Sequence, residues 1–323
     1  MILLVLIGIF LLSFLVNESL HYFNVELLPI RGAVIIFLTC GLLSKYNLVD
    51  WFSRQFINLT VCASILVLLQ LLSLMLDCGL FFGVNYGTYI NFSGDFYTFR
   101  VSPLNGDPNY FAYVMLPGMI LYSYKLFSPG SGIKKLLVFL FCMLCFVITF
   151  SRGILLAFSL SVLFLLLFVF VWNKRTQVKS FFALLLLMLA SIVVYHTILV
   201  SRAGNNVSST NQRVEIIQEQ LKKINDNVLL GSSYSNSKVV IDNTILGAHN
   251  LYIEVASSYG VIVSLSGILF VFILFWGVDI QRRALIIGYT ISSLFLGLLI
   301  YPSFWMYTCL ILVMEKKVVK ESI

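Results

Sequence analysis

The chain returns repeatedly to uninterrupted apolar runs of close to 20 residues, and this recurrence constrains its fold more than any other feature. A helix rises about 1.5 Å per residue, so about 20 apolar residues cross the roughly 30 Å hydrocarbon core of a bilayer. The runs fall near 2–16, 30–44, 56–76, 108–125, 133–150, 153–172, 180–200, 250–276, 284–300 and 302–314. The long gaps are at 77–107 and 201–248. Of 323 residues, 60% are hydrophobic and 11% charged, where soluble domains carry about 25% charged residues. The reading is all-α: a polytopic integral membrane protein of about ten transmembrane helices with two longer extracytoplasmic loops. A single transmembrane domain spans 1–323, with the second loop at 201–248 containing an amphipathic helix. The opening run, MILLVLIGIFLLSFLV, lacks a basic leading region and a small-residue cleavage site, so it reads as a span rather than a signal peptide.

The net charge of +7 does not indicate nucleic acid, because the basic residues follow a topological rule. Alternate loops hold Lys45 and Arg54; Lys125, Lys134 and Lys135; Lys174, Arg175 and Lys179; Arg282 and Arg283; and Lys316, Lys317 and Lys320. These are thirteen of the 21 Lys and Arg residues, accompanied by only four acids, Asp50, Asp279, Glu315 and Glu321. The loops are short, where an excess of Lys and Arg marks the cytoplasmic side. Both termini are expected there too, and the loops at 77–107 and 201–248 on the opposite face. Aromatic residues such as Tyr86, Tyr89, Phe96 and Tyr97 crowd the first long loop, as in a segment lying among headgroups. In the second, Val214, Ile217, Leu221 and Ile224 recur at helical spacing, Glu219 can pair with Lys223, and Thr210 or Asn211 suits an N-cap. That helix is expected to lie on the membrane surface.

The expected spans are almost free of charge, which disfavours a transporter built around mid-membrane carboxylates or basic groups. Cys142 and Cys145 form a C-x-x-C, but within FCMLCF they read as packing residues of a helix. Asp95, Asp107, Asp226 and Asp242 are scattered, so no metal site is expected. Asp107-Pro108 reads as an N-cap followed by proline at the first helical position, leaving Asn109 as a possible ligand for sugar or phosphate. Arg152, at the tip TFSRG, either reaches the headgroups or faces inward and holds an anion. Arg213, expected in the first turn of the loop helix, opposes the helix dipole unless an anion sits beside it; the alternative is an exposed arginine. His249 and Asn250 stand where the long loop meets the eighth span, and a histidine there is a candidate general base near neutral pH. Glu254 follows one turn later, where its charge also suits a helix start. Arg100, Arg152, Arg213 and His249 all fall on the outer face, a set suited to a lipid-linked phosphate or pyrophosphate.

In order, the chain carries GDPNYFA at 106–112, TFSRG at 149–153, NQRVEII at 211–217 and HNLYIE…YG at 249–260. This resembles the O-antigen ligase and O-antigen polymerase superfamily. The resemblance implies a metal-independent glycosyltransferase of the bacterial cytoplasmic membrane that needs no cofactor. Its donor would be an undecaprenyl-pyrophosphate-linked glycan and its acceptor another lipid-linked glycan or the lipid A core, with membrane lipids as further partners. It also implies that Arg152 and Arg213 bind the pyrophosphate and that His249 activates the acceptor hydroxyl. Arg100, Asn109, Asn250 and Glu254 are the candidate substrate-binding residues. Polymerisation of repeat units is the first reading, ligation to lipid A core the second, and a lipid-linked glycan flippase the third.

Overall fold

A computed structural model describes residues 28–46, 48–75, 108–127, 132–149, 151–172, 207–233, 236–241, 244–246, 249–276, 278–297 and 302–314. The spans expected at 2–16 and 180–200, the loop at 77–107 with Arg100, and Asp107 lie outside these residues. The described elements are α1 (Leu28–Lys45), α2 (Val49–Met75), α3 (Pro108–Phe127), α4 (Ile133–Ile148), α5 (Arg152–Trp172), α6 (Val207–Asp226), β1 (Val239–Ile241), β2 (Thr244–Leu246), α7 (Leu251–Tyr259), α8 (Val261–Trp276), α9 (Ile280–Ser293) and α10 (Pro302–Val313). The described residues are thus almost wholly helical. The exception among the described residues is one antiparallel hairpin, with Val239 opposite Leu246 and Ile241 opposite Thr244. It falls within the loop expected at 201–248.

The chain forms two compact units, one from α1, α6, the hairpin, α7, α8 and α10, the other from α2–α5 and α9 up to Ser292. In the second, α3 is the central helix. It starts at Pro108, where a missing N–H has no helical partner to lose. Apolar residues on all its faces let it bury Phe111, Tyr113, Met115, Leu116, Met119 and Ile120. Thr60 of α2 donates to the Met115 carbonyl at 3.2 Å, and Cys145 of α4 donates to the Ser64 carbonyl at 3.4 Å. The ring of Phe146 on α4 meets that of Phe158 on α5 edge to face at 5.5 Å. The two C-x-x-C cysteines are therefore buried packing residues, as their setting in the sequence suggested.

In the first unit α1 packs along α10. Gly32 lies beneath the Trp305 indole, and the sulfurs of the free Cys40 and Cys309 are 3.3 Å apart. The apolar run at 250–276 is not one helix. It breaks at Gly260 into α7 and α8, and Ser264 Oγ donates to the Tyr252 carbonyl at 3.0 Å. In a continuous helix those residues would stand about 18 Å apart. The chain therefore folds back on itself at Gly260, whose φ of 89° suits glycine. The run at 284–300 is also shorter as a helix than its apolarity suggested, because α9 stops at Ser293.

Each unit turns an apolar stripe outward. On α4 it is Ile133, Leu137, Leu140 and Leu144; on α8 it is Leu265, Leu269, Phe272 and Trp276. The steps of four, three and four residues keep each stripe on one helical face. Among the described residues, one helix, over Val49–Ser73, is long and apolar enough to cross a membrane by length and composition; Arg152–Phe168, Val261–Trp276 and Ser303–Val313 are shorter apolar helices.

Candidate active site

In the second unit two expected site residues meet at helix starts. Asn109 is the second residue of α3, and Arg152 is the first of α5 and exposed. Between them, Ser151 donates its hydroxyl proton to Asn109 Oδ1 at 2.9 Å. Ser151 also accepts, at its carbonyl, the first intrahelical bond of α5, from Leu155 N at 2.9 Å. Behind it, Thr149 closes the end of α4 by donating to Phe146 O at 2.8 Å, and its oxygen accepts from the Ser151 N–H at 3.4 Å. Ser151 and Thr149 are buried while Arg152 is not, so the tip is a fixed base carrying an outward cation.

In the first unit the helix that carries Arg213 packs against the helix that follows His249. Two expectations about α6 are corrected. It begins at Val207, so Thr210 and Asn211 lie inside it rather than capping it, and Arg213 occupies its second turn. The backbone N–H at Arg213 is then within reach of an intrahelical carbonyl, and the dipole argument for an anion at this residue no longer applies. Glu219 pairs with Lys222, not with Lys223. Lys223 Nζ instead donates to the carbonyls of Asn236 at 2.7 Å and Lys238 at 2.5 Å. Burial holds the Lys223 ammonium below the usual lysine range, against an opposing pull from Glu219.

The face of α6 that packs inward is not the apolar stripe expected to meet the membrane surface. Ile216 and Gln220 are buried, while Val214 and Leu221 remain about half exposed at 49% and 47%. The returning chain is the cause, since Gln220 Nε2 donates to the Ser237 carbonyl at 2.6 Å. That chain is latched to the break between α7 and α8. Val261 N donates to Val228 O at 2.8 Å, Ser232 N to Ser257 O at 2.9 Å, and Ser233 N to Ser258 O at 3.0 Å. Gly231 and Gly260 each lie against the backbone of the opposite segment in this latch: a Cβ on Gly231 would strike the Ser258 carbonyl, and one on Gly260 the Leu229 carbonyl.

His249 has a left-handed backbone, φ 49°, which few residues with a side chain adopt and histidine adopts more readily than most. The turn sets up Asn250 as the N-cap of α7. Its Oδ1 accepts from Tyr252 N at 3.0 Å and Ile253 N at 3.2 Å, so that oxygen is engaged in holding the helix start. Glu254 is only 5% exposed, and its carboxylate lies against Gly297 in the turn after α9; a Cβ there would come within 2.7 Å of Oε2. Among the described residues no three His, Cys, Asp or Glu side chains are grouped so as to hold a metal ion.

Ser151, Gly260 and Gly297 were not singled out from the sequence. Ser151 and Gly260 stand within the TFSRG and HNLYIE…YG motifs, but the partners of Gly260 and Gly297 are distant in sequence and leave no local pattern.

These features describe a helical protein with outward apolar stripes and polar candidates at helix starts. Residues 137–267 match the family model described as O-antigen ligase, a stretch that includes Arg152, Arg213 and His249. That match agrees with the resemblance carried by the motifs at 149–153, 211–217 and 249–260. Comparison with curated proteins gave no match.

Proposed function

We propose that the chain is a multi-pass glycosyltransferase of the bacterial cytoplasmic membrane that polymerises undecaprenyl-pyrophosphate-linked repeat units on the outer face. The observation that supports transfer of a lipid-linked glycan is the family match over 137–267, which contains Arg152, Arg213 and His249. The outward stripes of α4 and α8 support the membrane setting, since soluble monomers rarely expose contiguous apolar surface beyond a few hundred Å². The distribution of Lys and Arg supports cytoplasmic termini and an outer 201–248 loop within one membrane domain. The exposed Val214 and Leu221 suit α6 to the headgroup zone.

In this mechanism Arg152 and Arg213 bind the donor pyrophosphate and offset the charge that develops as it leaves. His249 takes the proton from the acceptor hydroxyl as that oxygen attacks the anomeric carbon. The new glycosidic bond forms as the bond to the pyrophosphate oxygen breaks, and the lipid pyrophosphate departs. Arg100, Asn109, Asn250 and Glu254 serve substrate binding directly or by support, and the chemistry calls for no metal or cofactor.

The description of the matched family favours a second reading, ligation of the finished glycan to lipid A core. Arg152→Ala, Arg213→Ala and His249→Ala, each checked for expression, test the mechanism in a strain that depends on this chain. Collapse of the glycan ladder to one repeat supports polymerisation. Loss of attached glycan with accumulation of lipid-linked polymer means ligation. Normal long-chain polysaccharide in all three variants overturns the catalytic assignment and leaves the flippase reading.

A further inference from the structure

An N-cap serine ordinarily uses its oxygen to accept from the first turn of its own helix. Ser151 sits in that place at the start of α5, and its hydroxyl proton, which capping leaves free, goes to Asn109 Oδ1 on α3, 42 residues away in sequence and 2.9 Å away in space. The pair is well fixed. Ser151 is 1% exposed, Thr149 behind it is fully buried, and Pro108 beside Asn109 is buried as well. The residue that follows Ser151, Arg152, is the exposed one. The bond therefore joins two helix starts at one end of the unit, and any slide of α5 along α3 has to break it.

The geometry points to Ser151 as a positioning residue for the donor site, holding Arg152 in register through Asn109, with Asn109 acting through this bond rather than as a direct ligand. The inference rests on the reading of Arg152 as a ligand of the lipid pyrophosphate. A guanidinium held on a fixed base loses less freedom when it binds a phosphate than one on a mobile tip, and that difference appears as affinity. Neither residue need touch the donor for its loss to weaken binding.

The test is the dissociation constant of a polyprenyl pyrophosphate for the full chain in lipid nanodiscs, measured for Ser151→Ala, Asn109→Ala, the double variant, Ser151→Thr and Arg152→Ala. Thermal melting and monodispersity confirm that each variant is folded. Ser151→Ala and Asn109→Ala should each weaken binding roughly five- to ten-fold, the scale of one lost hydrogen bond. The double variant should be no weaker than either single one, because both remove the same bond. Ser151→Thr, which keeps the hydroxyl, should bind within about two-fold of the parent if the bond rather than bulk matters. If Arg152→Ala abolishes binding while folded Ser151→Ala binds as the parent does, the positioning role is wrong and the reading of Arg152 stands. If Arg152→Ala binds normally, the donor-site reading fails and this inference fails with it. Additive losses in the double variant overturn the pairing and return Asn109 to the role of an independent ligand.

Discussion

The peptide N–H of Val261 donates to the carbonyl of Val228 at 2.8 Å, joining the start of α8 to the turn that follows α6. With the bonds from Ser232 and Ser233 to Ser257 and Ser258, it ties the helix carrying Arg213 to the helix that His249 introduces. Both proposed reactive elements of this unit thus depend on one latch.

Gly231 and Gly260 are where the latch is most sensitive. Their φ angles of 69° and 89° cost a side-chain-bearing residue about 1–3 kcal/mol, before any clash with the facing carbonyl. Gly231→Ala and Gly260→Ala should each lower the melting temperature and speed protease cutting within 227–238. Unchanged melting and cutting would show that the latch does not hold the loop.

At His249 shape and chemistry are separable. Asparagine and glycine accept a left-handed backbone, so His249→Asn and His249→Gly should fold as the parent does yet make no polymer. His249→Val adds a β-branched penalty of about 1–2 kcal/mol, and its melting temperature should fall below that of the other two. Polymer from the asparagine variant at parental level would remove the histidine from the reaction.

Adjacent lysines on α6 should behave differently. Lys222 is exposed and its partner Glu219 lies on the same surface, so Lys222→Met should leave thermal melting unchanged. Lys223→Met deletes charge-assisted bonds to two carbonyls of the returning chain, at a cost of about 1.5–3 kcal/mol. Equal melting temperatures for the two variants would mean that these bonds do not stabilise the loop.

Gly297 and Glu254 give a test by compensation. An alanine at 297 pushes on a carboxylate with little room to move, so Gly297→Ala should cost about 1–3 kcal/mol in melting experiments. Adding Glu254→Asp withdraws the carboxylate by one methylene and should recover part of that loss. A double variant that is additive, with no recovery, would place the cost elsewhere in the turn.

Where the pattern is local, much was legible beforehand. The start of α3 follows from Pro108 and its length from an apolar run, and the tip between α4 and α5 follows from an arginine inside an apolar stretch too long for one span. Apolarity misled at 250–276, because hydropathy responds to composition and not to direction. Gly260, at which the chain reverses, closes the HNLYIE…YG motif, but its apolar neighbours do not mark it as a break in the helix.

Helices, their apolar character, the charge asymmetry of the loops and the three reactive candidates were determined by the sequence itself, since each depends on spacing along the chain or on side-chain chemistry. Tertiary structure decided which partners those residues take. Lys223 turned from Glu219 to backbone carbonyls, and Ile216 and Gln220 became the inward face of α6 while Val214 and Leu221 stayed exposed. Asn109 gained Ser151. The physical reason is common to these cases: helical periodicity says which residues share a face, but only the packing of a distant segment determines which face is covered and which polar atoms need a partner there.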